Sequence, residues 1–275
     1  MIDSNIRKGE QLRTAAIIQA RMGSTRLPEK VLMPVLGKPL LAWMLDRVSL
    51  SKTIDEIVIA TSTDDCDDAI EDFVVSYGYK VFRGSQNDVL DRYYQAAKSL
   101  SIEPDIVIRL TGDCPALDPS IIDLLVSEYD IQKLDFISNT EPLPSTWPDG
   151  MDVAIMSFEA LKKAWQLAKK PSEREHVTFI FYNEEDIFKR KRIECSTDLS
   201  NYRLTVDYPE DFEVLENLIT HFSENTKKGF TKASMNEIIN FLNQNIDLIK
   251  MNNMYVQGQG WESSFEEDSR VKKEG

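Results

Sequence analysis

Histidine is almost missing from this 275-residue chain, which has only His176 and His221. Cysteine is scarce as well. Cys66, Cys114 and Cys195 stand far apart, without Cys-x-x-Cys spacing. Their odd number excludes a fully paired disulfide framework, the spacing argues against a structural zinc site, and together they point to a reducing cytoplasm. Long apolar runs are absent, since "VLMPVLGKPLLAWML" is broken by Pro34, Gly37, Lys38 and Pro39. No segment therefore reaches the roughly 20 residues of a membrane-spanning helix. Positive charge is also short: 32 Lys+Arg against 46 Asp+Glu give a formal net charge of -14. With no basic run beyond "FKRKR", broad electrostatic binding to nucleic acid is excluded, and the expected partner is small. Neither a Walker A sequence nor G-x-G-x-x-G follows any apolar run, which removes support for P-loop and dinucleotide folds.

What is present is regular alternation. Thr14–Ala20, Glu56–Thr61, Lys80–Arg83 and Ile106–Thr111 are short apolar runs that read as strands. Between them, Leu40, Leu41, Met44, Leu45 and Val48 share helical spacing, as do Ala69, Ile70, Phe73, Val74 and Tyr77, and then Val89, Leu90, Tyr93, Ala96, Ala97 and Leu100. The alternation predicts an α/β fold, a mostly parallel sheet with helices on both faces. Beyond Tyr129 the pattern loosens. Strands are expected at Asp135–Ser138, Asp152–Met156, "RKRIEC" and "RLTV", and helices at Ser157–Lys169, after a Ser172/Glu175 capping box, and along "YPEDFEVLENLITHF" with Phe212, Leu215, Ile219 and Phe222 on one stripe. The expected division is a flexible leader (1–13), one domain (14–250) and a polar, solvated tail (251–275).

In open α/β sheets ligands bind beyond the carboxyl ends of the strands. The first such loop, "RMGSTRLPEK", gathers Arg21, Arg26 and Lys30 around Gly23, Ser24 and Thr25. That is phosphate-site chemistry, although solvated surface charge accounts for the cations equally well on composition alone. The global acidity does not forbid an anion there. Repulsion from distant charges is screened beyond about 8 Å, whereas a cation at contact gains about 4 kcal/mol at an effective dielectric near 20. Asp113 in "RLTGDCP" and Asp207 in "RLTVDYPED" each follow an apolar run. Two strand-end carboxylates suit Mg2+, and helix capping is the competing account, with Glu210 standing where a capping-box partner of Asp207 would be. Asp118 reads as a cap, Asp64–Asp68 as acids offsetting a helix dipole, and both histidines as structural, with Arg174 beside His176 allowing anion binding.

Seven segments then line up in order: "AAIIQARMGSTRLPEKVL", "IVIATSTDD", "FRGSQNDVLDRY", "VIRLTGDCPALDP", "PDGMDVAIMSFEAL", "SEREHVT" and "YRLTVDYPEDFEVL". Together, over about Ala15–Leu215, they resemble the cytidylyltransferase family of the CMP-Kdo and CMP-sialic acid synthetases, most closely the branch of spore coat polysaccharide biosynthesis protein F. The resemblance implies a Rossmann-like nucleotidyltransferase fold, a homodimer, and Mg2+-dependent transfer of CMP from CTP to an acidic sugar or related acceptor. It also implies roles. Arg21, Lys30, Asp113 and Asp207 are catalytic, with the two aspartates as metal ligands. Arg21, Ser24, Arg26 and Lys30 grip the triphosphate, and Ala20, Met22, Gly23, Thr25, Thr111 and Gly112 also bind substrate or nucleotide. Thr61, Arg83, Gly84 and Ser85 lie near base and ribose, while Asp149, Gly150, Asp152, Arg174, Glu175 and His176 shape the acceptor pocket. One departure stands out. CMP-Kdo synthetases carry Gln-Gly-Asp-Glu-Pro where this chain has Thr111-Gly112-Asp113-Cys114-Pro115, so the acceptor and the base preference stay open. A glycosyltransferase using a nucleotide sugar and a non-catalytic nucleotide-binding protein are the alternatives, the first lacking an Asp-x-Asp motif after a central strand.

Overall fold

The computed structural model describes residues 12–274, so the expected leader lies outside the described residues except for its last two. Arg13 is held: its backbone N–H donates to Asp105 and its guanidinium pairs with Glu56, at 2.8 Å each. The strands are β1 (Thr14–Gln19), a β2–β3 hairpin (Pro34–Val35, Lys38–Pro39), β4 (Glu56–Ser62), β5 (Lys80–Gly84), β6 (Ile106–Thr111), β7 (Phe136–Ser138), β8 (Ala154–Ser157) and β9 (Arg190–Arg192). The helices are α1 (Leu40–Val48), α2 (Asp68–Ser76), α3 (Val89–Lys98), α4 (Pro119–Glu128), α5 (Phe158–Leu167), α6 (Pro171–His176), α7 (Phe179–Asn183), α8 (Pro209–Asn225), α9 (Met235–Gln244), α10 (Ile246–Asn252) and α11 (Glu262–Glu274).

Seven strands form one sheet in the order β5-β4-β1-β6-β8-β7-β9. Its neighbours pair in parallel except around β8, which runs against both β6 and β7. The expected mostly parallel α/β sheet is therefore present. Strands buried on both faces explain the near-continuous apolar runs: Ala16 and Ile18 of β1 enter one core with α1, α2, α4, α8 and α9, while Ile17 enters the other with α3, α5 and α7. Each such isoleucine contributes about 1.5–3 kcal/mol by burial. Among the described residues no helix is long and apolar enough to cross a membrane.

The second half departs from expectation in four places. "RLTV" is no strand. Arg203 makes only an isolated bridge to Asp149, and the N–H groups of Leu204 and Val206 go to Asp149 and Asp113, at 2.7 and 2.8 Å. Its backbone is spent on joining loops. The Ser172/Glu175 capping box is also absent. Pro171 opens α6, Glu173 takes the N–H groups of Lys169 and Lys170, and Ser172 is buried against Asp268. At α8, Asp211 rather than Glu210 closes the box. Its buried carboxylate accepts the N–H groups of Asp207 and Tyr208 at 2.9 and 3.0 Å, which frees the Asp207 side chain from capping. Finally, the tail is not simply solvated. Tyr255 stacks on Tyr208 with ring centroids 3.7 Å apart, Trp261 and Phe265 pack on Phe179, and Ser264 is bonded to His176 and Glu175.

Candidate active site

Because β1, β4 and β6 are parallel, they end together at Gln19, Ser62 and Thr111, and the loops beyond them meet over one sheet edge. Gly112 permits the closest approach. Its N–H reaches the Gln19 carbonyl at 2.7 Å, and a Cβ there would come within 2.9 Å of the same oxygen. Over this edge lie two cavities of about 280 and 250 Å³, which share Gln19, Arg26, Arg92, Asp113 and Asp207 and so form one cleft.

The loop after β1 is clamped from outside. Met22 N–H donates to Asp67 at 2.7 Å, and the same carboxylate accepts Ser62 N–H and Oγ. Burial alone would raise the Asp67 pKa, but these bonds outweigh it and hold it below the usual range. Asp67 is thus a loop anchor, which corrects the dipole reading for that residue, while Asp65 and Asp68 stand in first helical turns as expected. The clamp leaves Ala20, Ser24, Thr25, Arg26 and Lys30 lining the smaller cavity and Arg21 at both. Gly23 has open space around it.

Lys30 is buried, and its ammonium reaches Asp113 Oδ2 and Asp207 Oδ1, both at 2.8 Å. The two carboxylate oxygens are therefore no farther apart than twice that distance. Positions 83 and 177 residues from Lys30 converge on one nitrogen. Burial by itself would discharge all three groups; the opposite charges reverse this, holding the Lys30 pKa up and the Asp113 and Asp207 pKa values down. Arg26 adds a contact to Asp207 at 2.6 Å and lies over the Tyr208 ring, and Arg203 joins Asp207 at 3.0 Å. Among the described residues no three His, Cys, Asp or Glu groups stand together as a metal cage. Two ionised carboxylates that already share one cation fit Mg2+, which takes one or two carboxylates and completes its shell with water and phosphate.

Behind this cluster Arg203 binds Asp149 and Asp211 as well. Gly150, at φ +96°, places Asp149 there, and any Cβ would collide with the Leu204 and Thr205 backbone. Asp149, Asp152, Glu175 and His176 line the larger cavity. Burial and the neighbouring Asp152 push Asp149 up to about 8, and burial lowers His176 to about 4, leaving it neutral at pH 7. Arg174 is turned to Asp88, 3.5 Å away.

Other expected residues lie outside the lining. Thr61 is fully buried in β4. The Arg83 guanidinium is held by Asp68, Glu71 and two carbonyls, and the Ser85 hydroxyl accepts Asp88 N–H. Gly84 matters through its neighbour, since a Cβ there would stand 3.2 Å from Arg92 Cγ.

Sequence reasoning passed over Gln19, Arg92, Arg109, Glu141 and Arg203, all on the cleft wall, together with the 257–261 segment of the tail. Gln19 and Arg92 lie in "IIQARM" and "DVLDRY", where their strand-end and helix-face positions are the available signal. Arg109 was hidden in the middle of a strand.

A carboxyl-edge cleft with a loop of hydroxyls and cations, and a buried lysine between two strand-end aspartates, suits the handling of a phosphorylated ligand. Comparison with known proteins supplies the family. A family model described as cytidylyltransferase matches residues 15–259. The chain is 35% identical to the spore coat polysaccharide biosynthesis protein SpsF of Bacillus subtilis, over 84% of this chain and 94% of that one. It is 31% identical to the 8-amino-3,8-dideoxy-manno-octulosonate cytidylyltransferase of Shewanella frigidimarina, over 70% of each. A solved cytidylyltransferase from Leptospira borgpetersenii superposes with TM-score 0.79 at 35% identity, covering 87% of this chain and 97% of that one. The chain belongs to the cytidylyltransferase family.

Proposed function

We propose that the protein transfers CMP from CTP to a hydroxyl of an acidic sugar or related acceptor, releases pyrophosphate, requires Mg2+, and serves cell-surface polysaccharide biosynthesis in the cytoplasm as a homodimer. The observation that carries the reading is the convergence of Lys30, Asp113 and Asp207 at the sheet edge.

Nucleotidyl transfer needs little covalent help, because positioning and relief of spreading negative charge supply most of the catalysis. As the acceptor oxygen bonds to the α-phosphorus and the bond to the bridging oxygen breaks, charge moves onto the pyrophosphate. Lys30, Arg21 and Arg26 face that change, and Ser24 and Thr25 offer hydroxyls to phosphate oxygens. Arg203 steadies Asp207, so the carboxylate keeps its place when Lys30 turns to the phosphates. Asp113 and Asp207 would hold Mg2+, which would supply neutralising charge for the phosphates and a lowered pKa for the attacking hydroxyl. An acidic acceptor is supported by Arg109, which lines the larger cavity with a buried, unpartnered Nε.

The test is incubation with CTP, Mg2+ and a panel of acidic sugars. Pyrophosphate released only with acceptor is the expected result. Release of a nucleoside diphosphate from nucleotide sugars instead would indicate sugar transfer and overturn the reading.

A further inference from the structure

Beyond α10 the chain crosses the mouth of the cleft, and it is moored on both sides. On one side the Asn252 side chain, 2% exposed, donates to the Arg203 carbonyl at 3.2 Å and to Asp211 at 2.9 Å. Tyr255 stacks on Tyr208 and donates its hydroxyl to Glu210 at 3.0 Å. On the other side Trp261 meets the Phe179 ring edge-on, the Ser264 hydroxyl donates to Glu175 at 2.7 Å, and Asp268 accepts both the N–H and the hydroxyl of Ser172. Both moorings grip the walls of the site, since Arg203, Tyr208 and Glu175 line the larger cavity.

The span between the moorings, residues 256–261, is one layer of chain. All of it lines the larger cavity, yet Val256 is 69% exposed and Gln259 and Gly260 also face solvent. Its turns close within the span, Gln259 N–H on the Val256 carbonyl at 3.1 Å and Trp261 N–H on the Gly258 carbonyl at 3.0 Å. The middle of the span requires glycine. Gly258 has φ +78°, and a Cβ there would come within 2.6 Å of Leu143, another residue of the cavity wall, and 3.2 Å of the Trp261 ring. Asp149, Asp152 and His176 stand in this larger cavity, whereas Gly260 alone of the span reaches the smaller one with Ser24, Thr25 and Lys30. The cover therefore belongs to the acceptor side. A thin span whose turns close on themselves can lift while the sheet stays folded, because local opening costs only the contacts it breaks. We propose that residues 256–261 are a gate over the acceptor half of the cleft: the acceptor enters when the span lifts, and fit beneath the seated span decides which acceptor reacts. The inference rests on the reading of the cleft as a nucleotidyl-transfer site with the acceptor in the larger cavity.

Two measurements on the full chain test the gate. Native-state hydrogen exchange needs no ligand: the amides of Gln259 and Trp261 should exchange through a local opening that is insensitive to low denaturant, while those of β1 and β6 wait for global unfolding. Exchange of Gln259 and Trp261 only with global unfolding overturns the gate. Initial rates are then compared for the wild type, Trp261→Ala and Gly258→Val, with CTP, Mg2+ and a panel of acidic sugars that includes Kdo and sialic acid, and with melting curves to confirm folding. In each variant the KM for the acceptor should rise at least about tenfold while that for CTP stays within about threefold of wild type. If Trp261→Ala does not fold, Gly258→Val decides. The two layers separate. A wild type that turns over no acidic sugar of the panel removes the proposed function and the acceptor assignment with it, whereas a productive wild type whose folded variants keep its acceptor KM overturns this inference alone.

Discussion

At one end of the cleft five charged groups are paired with one another, and at the other several polar atoms have no partner. Lys30, Asp113, Asp207, Arg26 and Arg203 form a closed set of contacts. A few residues away, Gln19 Oε1, Arg92 Nε and Nη1, Arg109 Nε and Glu141 Oε2 are buried without hydrogen-bond partners. The difference separates two ways of preparing a site. The paired end holds its groups in place before any ligand arrives, and on the proposed function binding would exchange partners, with phosphates taking the lysine and a metal taking the carboxylates. The unpaired end leaves these atoms without a protein partner, so a complementary ligand or water completes them. Mutations at the first end should therefore damage both stability and activity, whereas mutations at the second should damage binding more than stability.

The sharpest break is Lys30→Met. It removes the shared cation and leaves two half-buried carboxylates facing each other, which should cost about 3–5 kcal/mol in denaturant unfolding. Pyrophosphate release should fall by about 10²–10³ or more. Gly150→Ala comes next. At φ +96° and against the Leu204 and Thr205 backbone, a methyl group must displace the Asp149–Arg203 junction. A loss of about 2–4 kcal/mol in unfolding is expected, and wild-type stability in this variant would contradict the account of the junction.

Acid sharpens the comparison further. The Asp113 and Asp207 pKa values are lowered in the fold, so their stabilisation is complete above the ordinary carboxylate value near 3.8 and disappears as pH falls below it. His176 is also lowered, to about 4 from 6.5. The unfolded chain takes its proton first, and stability falls as pH drops from about 6.5 to 4. His176→Gln should flatten the upper part of that decline, and the imidazole resonance should titrate near 4. Titration near 6.5 would show that Ser264, Phe179 and the tail do not enclose it.

The smallest stability effect belongs to the unpaired end. Arg109→Met removes a group whose Nε has no partner but whose charge holds Glu141 and Asp152 down, so unfolding stability should fall by about 1–2 kcal/mol, less than at Lys30. The KM for the acceptor should rise while that for CTP stays near wild type. A large loss of stability here would erase the contrast between the two ends.

Much of the fold was legible because strands buried on both faces leave short continuous apolar runs, whereas helices with one apolar stripe leave a period of 3.6. Thr14–Ala20 and Ile106–Thr111 lie within a residue of β1 and β6 for that reason. The site was legible where chemistry sits on loops, as for Lys30, Asp113 and Asp207. It was illegible where function depends on what lies across the chain. Nothing local to "RLTV" says that its backbone bonds go to Asp149 and Asp113, and nothing local to "SERE" says that Ser172 meets Asp268, 96 residues on. The tail misled through its composition. Its polar residues conceal Tyr255, Trp261 and Phe265 at positions that dock on Tyr208 and Phe179. Arg83 looked like a ligand group because its carboxylate partners, Asp68 and Glu71, lie on a neighbouring helix.

The central claim is that Asp113 and Asp207 hand their shared cation to a nucleotide complex. Diffraction from crystals grown with CTP and Mn2+, read at the manganese edge, tests it most directly. The account predicts an anomalous peak within about 2.0–2.3 Å of a carboxylate oxygen from each aspartate, with Lys30 Nζ moved onto phosphate. A peak elsewhere with Lys30 still bridging the two aspartates would contradict it.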